Sequence, residues 1–126
     1  MSLAVAHFAF GAAMTTLVVT LVVPASWYPR TLTLVGGGWA MVPDFHQISP
    51  VATEQLRHIH QTSPWTDVFW LHRTLDTLDP TDSTRVAALF IALFIGTSLF
   101  AEWWGYHSPK RIRAARETYL DVEPPK

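Results

Sequence analysis

The sequence predicts an all-α protein: a small transmembrane helical bundle with three hydrophobic helices, the middle one short, and two short helices in an interfacial loop. Three observations predict it. Hydrophobic residues make up 49% of the chain and charged residues only 15%, against about 25% charged in an average soluble domain. The charge is unevenly placed, with no Asp, Glu, Lys or Arg before Arg30. Two stretches also reach about the 20 apolar residues that a helix needs to cross the roughly 30 Å hydrocarbon core. A chain of 126 residues holds one such domain. It divides into a membrane domain at 1–109 and a basic tail at 110–126. Within the domain, helices are expected at about 3–23, 31–43 and 86–106, with a polar helical loop at 44–84.

The first helix reads LAVAHFAFGAAMTTLVVTLVV. No positive charge precedes its apolar run and no A-x-A site follows it, so a spanning helix is expected rather than a cleaved leader. The middle segment, TLTLVGGGWAMVP, rises only about 20 Å as a helix. Gly36, Gly37 and Gly38 are poor helix formers in water, but small residues let helices approach closely in a membrane. A short helix packed between the other two is expected. In the last segment, Val86 to Ala101 carries no charge and leads into Glu102, Trp103, Trp104 and Tyr106. Trp27 and Tyr28 follow the first segment in the same way. Such aromatic residues favour the headgroup level.

Lys110, Arg111, Arg113 and Arg116 follow the last span. Positive residues mark the cytoplasmic side, so a multi-pass protein of the cell membrane with a cytoplasmic C-terminus is expected. With three antiparallel spans, the start of the first helix, the end of the second and the start of the third share one face. His7, Asp44, His46 and the loop histidines then gather there.

In the loop, Ser49-Pro50 and Ser63-Pro64 pair an N-cap with a proline at the first helical position. Helices are expected at about Pro50 to Gln61 and Pro64 to Leu78, with Asp82 or Ser83 capping the last span. Trp65, Val68, Phe69, His72, Leu75 and Asp76 recur at helical spacing, which sets His72 and Asp76 one turn apart on an apolar face. Of the pair His58 and His60, one member is expected to face water.

Five residues form the candidate metal set: His7, Asp44, His46, His72 and Asp76. Imidazole and carboxylate are the usual donors for zinc and similar divalent ions, and a bound ion activates water for hydrolysis. Ligand bonds of about 2 Å require the donors to converge within about 5 Å of a common point. Each residue also has a plainer reading, as a packing histidine, a turn residue or a hydrogen-bonded pair.

Other chemistry is excluded or unsupported. Cysteine is absent, which removes disulfides, thiolate sites and Cys nucleophiles. A net charge of −1 gives no basic field for nucleic acid. The glycine run lacks the Lys-Ser/Thr of a phosphate-binding loop, and no nucleophile elbow or internal repeat appears.

His7-x-x-x-Gly11 in the first span, Pro43-Asp44 at the end of the second and His72-Arg73 beyond it resemble the YdjM-like family of predicted membrane-bound metal-dependent hydrolases. That family's pattern has a His and a Gly in the first span, then Pro-Asp-x-Asp, then His-Arg-Gly-x-Thr-His. The resemblance implies a small helical membrane protein with His7, Asp44 and His72 as ligands. Here the second Asp of the pattern is His46, its Gly is Thr74, its Thr is Asp76 and its second His is Thr77. Loss of that His removes a ligand the family's chemistry uses, unless Asp76 or another group substitutes. The alternative is a non-enzymatic accessory or scaffold subunit of a membrane assembly. Its partner would be another membrane protein or a second copy, since a small bundle has little interior of its own.

Overall fold

A computed structural model describes residues 3–22, 28–47, 50–107, 114 and 117–118, with the side chains of 46, 47, 106 and 107 outside the described set. The described residues are helical and form no strand. Helix α1 spans Ala4–Leu21, α2 Pro29–Met41, α3 Thr53–Thr62, α4 His72–Leu78 and α5 Thr84–His107. Short 3-10 turns occupy Val42–Gln47 and Pro64–Val68. Trp27, Ser49 and the basic cluster from Lys110 to Arg116 lie outside the described residues, apart from Ala114 within that stretch.

Two helices, α1 and α5, are long and apolar enough to cross a membrane. The two differ in how they meet the rest of the chain. In α1, 39% of the apolar window is buried, in α5 only 11%. Leu89, Ile91, Leu93, Ile95 and Leu99 of α5 all face outward. Monomeric soluble proteins rarely expose a contiguous apolar face of this kind.

The expected arrangement, with the short helix between two long ones, is corrected. Helix α1 is the central element and packs against both α2 and α5. The cause is its stripe of small residues: Ala6, Ala9, Gly11, Ala12 and Ala13 are buried. Close approach is obligatory at Gly11. A Cβ there would lie 2.5 Å from the Ala40 Cβ and 2.8 Å from the Gly36 carbonyl oxygen. On α2 the matching face is Gly36, Gly37 and Ala40, while Gly38 meets nothing within 4 Å. On the other side, Phe10 packs against Phe90 of α5, with ring centroids 5.2 Å apart.

The threonine hydroxyls of Thr15, Thr16 and Thr20 within α1 are satisfied locally. Thr15, Thr16 and Thr20 donate to the carbonyls of Gly11, Ala12 and Thr16 at 2.8, 2.8 and 2.7 Å. This is what an apolar surrounding demands of a hydroxyl. The Thr16 and Thr33 hydroxyls also meet at 3.1 Å, tying α1 to α2.

The loop departs from expectation in two places. Helix α3 begins at Thr53, behind Ala52 in the left-handed region (φ 54°), rather than at Pro50. The single helix expected over 64–78 is broken: a 3-10 turn ends at Val68, and Trp70 (φ 55°) and Leu71 (φ 58°) are left-handed before α4 starts. The left-handed region costs a residue with a Cβ about 1–2 kcal/mol. Several interactions hold the break. Asp67 accepts from the Thr74 amide at 2.8 Å and the Thr74 hydroxyl at 3.0 Å, capping α4 from outside it. Trp39 of α2 donates to the Val68 carbonyl at 3.2 Å and lies against Phe69, with centroids 4.7 Å apart. Ser63 does cap the 3-10 turn, accepting from the Trp65 amide at 3.3 Å. Before α5, the Asp79 carboxylate takes the Ser83 amide at 3.0 Å.

Candidate metal centre

The N-terminal end of α1, the turn after α2, the end of α3 and all of α4 meet at one end of the bundle. His7 is one turn into α1 and fully buried. Asp44 lies in the turn that continues α2, where Pro43 follows Val42, and it is buried. His60 is the one buried residue of α3. His72 opens α4, fully buried, and Asp76 follows one turn later with its side chain 13% exposed.

His7 and His72 stack, with ring centroids 3.8 Å apart and planes at 21°. His7 Nε2 donates to Asp76 Oδ1 at 3.1 Å, and no hydrogen bond reaches its buried Nδ1. His60 Nε2 is 3.1 Å from Asp76 Oδ2. His72 Nδ1 donates to the Ala40 carbonyl at 2.8 Å. That bond fixes the ring and sends Nε2 into the cluster, 3.4 Å from Asp44 Oδ1 and 3.7 Å from Asp76 Oδ2. Both distances exceed the ordinary N–H···O range, and Nε2 has no hydrogen-bond partner.

A nitrogen lone pair facing two carboxylates in a buried space needs a cation between them. Either a proton or a metal ion satisfies it. For the proton, burial works against the charged ring, but Asp44, the Ala40 carbonyl and Asp76 outweigh it, and the His72 pKa is raised. For a metal, the donor types and spacing both fit. Two ligands on a tetrahedral ion with bonds of about 2.0–2.1 Å lie about 3.4 Å apart. Donor atoms of His7, Asp44 and His72 lie within 4.8 Å of one another, as do those of His60, His72 and Asp76. The Ala40 bond is also the outer-shell partner that ligating histidines characteristically have.

Four of the five sequence candidates thus meet: His7, Asp44, His72 and Asp76. His46 shares the turn with Asp44, and its side chain lies outside the described residues. His60 was missed as a site residue. Its signal in the sequence was the spacing with His58, which turns one ring inward, and the structure buries His60 and exposes His58. Thr77 is exposed and donates to the Arg73 carbonyl at 2.8 Å. No protein-family model matches this chain, and no curated protein or solved structure matches it either.

Proposed function

We propose that this chain is a multi-pass protein of the cell membrane that binds a divalent transition metal, zinc or a similar ion, through His7, Asp44 and His72, with Asp76 beside them. One observation carries the reading: His72 Nε2 is held by the Ala40 bond so that it faces two carboxylates in a buried pocket of imidazoles. The exposed apolar surface of α5 supports the membrane setting. His46 stands as a further ligand, to be tested by substitution.

The proposed activity is metal-dependent hydrolysis at the membrane face, as the resemblance to YdjM-like proteins suggests, on an ester or phosphoester of a lipid or similar substrate. A bound ion would supply Lewis acidity and an activated water. The chain's own residues orient the site. Ala40 fixes the His72 tautomer, and Asp76 holds His7 and His60 by its two oxygens. Asp76 is also the most exposed of these side chains, which sets it on the side a substrate would approach.

Elemental analysis of the full chain, purified in detergent without chelator, tests the metal. About one equivalent is expected in the wild type and background in His72→Ala. A wild-type chain that stays metal-free after incubation with zinc, manganese, cobalt and ferrous iron would sink the reading.

A second reading rests on α5, which packs on α1 and leaves most of its apolar surface uncovered. Such a helix suits a homo-oligomer or another membrane protein, as in an accessory or scaffold subunit. Co-purification of a membrane partner that survives His72→Ala favours it.

A further inference from the structure

His60 comes to the cluster from an element that has little other reason to be there. It is the one buried residue of α3, and the large apolar Ile59 beside it is 55% exposed. Helix α3 packs mainly against the turn that carries Asp44. A lone imidazole is a weak apolar anchor and a good metal ligand. Its geometry suits the second role. His60 Nε2 is 3.1 Å from Asp76 Oδ2, the same oxygen that lies 3.7 Å from His72 Nε2.

The number of ions follows from His72. It belongs to both donor groups. Its Nδ1 is committed to the Ala40 carbonyl, so one nitrogen remains. One nitrogen lone pair binds one ion, and the two groups cannot be filled separately.

We infer that His60 is a direct protein ligand, and that the centre takes a single divalent ion on His72 Nε2 with donors drawn from both groups. This rests on the metal reading above. The ion is of the class that nitrogen and carboxylate donors suit, such as Zn²⁺ or Co²⁺.

The test uses the full chain in detergent micelles, titrated with Co²⁺ and, separately, loaded with Zn²⁺ for X-ray absorption. Wild type saturates at one ion. H60Q binds Co²⁺ at least about ten-fold more weakly, since even outer-shell changes cost about 10–100-fold. Its Co²⁺ absorption bands shift, and the imidazole count at zinc falls by one. H60D, which restores a ligand oxygen, recovers affinity over H60Q with the count still lowered, and it carries the test if H60Q fails to fold. H58Q matches wild type. Wild-type affinity and imidazole count in H60Q, with binding lost in His72→Ala, would overturn this inference and leave the metal reading intact. Two ions per chain at saturation overturns the single-ion assignment. No Co²⁺ or Zn²⁺ bound by the wild type overturns both.

Discussion

His72 shows how one backbone carbonyl decides the chemistry of a side chain. The Ala40 oxygen takes Nδ1–H, and Nε2 then faces the carboxylates of Asp44 and Asp76. The consequence is a pH dependence that differs with and without metal. In the metal-free chain the His72 pKa lies above its ordinary value of 6.5. The stabilisation this brings is fully present below that value and is lost as pH rises through the folded-state value. Metal-free protein in chelator is therefore expected to melt lower at about pH 8 than at about pH 6, relative to H72Q. Metal-loaded protein should show the reverse, because its ligands must give up their protons to bind. Thermal melts in detergent, with and without chelator, check both signs. Asp67 makes a second prediction. It caps α4 through Thr74, so Asp67→Ala should cost about 1 kcal/mol in stability. It should also weaken metal binding, since α4 carries His72 and Asp76. At this scale the sequence was largely readable. Connectivity put His7, Asp44 and the loop histidines at one face, and helical spacing set Asp76 one turn from His72. His60 was not singled out as a site residue, because spacing from His58 says that one ring turns inward without saying which.

Among elements, length and composition marked α1 and α5 well, since both depend only on apolar run and charge. The order of neighbours was not legible. Hydropathy does not distinguish a helix facing lipid from one facing protein, and α1 and α5 are similarly apolar over their lengths. The glycine run on α2 was correctly read as a close-approach face, but the partner is α1 alone. This gives a paired prediction. Gly36→Val places a side chain against Thr15 and should cost about 1–3 kcal/mol, as overpacking does. A Cβ at Gly38 meets nothing within 4 Å, so Gly38→Ala should leave the melting temperature unchanged or raise it, since alanine favours the helix. Equal melts for the two variants would contradict the α1–α2 packing. The break at 69–71 was hidden for a different reason. No Gly or Pro marks it, and the left-handed Trp70 and Leu71 are held by Trp39 and Asp67, partners whose contacts with this stretch only the folded chain reveals.

For the molecule as a whole, the composition makes membrane orientation simple to measure. With no native cysteine, any introduced thiol is the only one present. Val51→Cys, in the exposed loop, should react with an impermeant maleimide from the extracytoplasmic side, and Glu117→Cys only after the membrane is breached. The reverse labelling would invert the topology but would leave the cluster together, because antiparallel connectivity alone sets which helix ends share a face. The centre's donors run along the chain from His7 to Asp76. During synthesis α1 carries His7 out of the ribosome well before Asp44, His72 and Asp76 are made. The pocket cannot close until residue 76 has left the ribosome and the loop has folded back on α1. On the proposed function, metal acquisition follows the synthesis of α4. A chain arrested before α4 would hold His7 without the His72 ring that stacks on it and the Asp76 carboxylate that it meets in the finished protein.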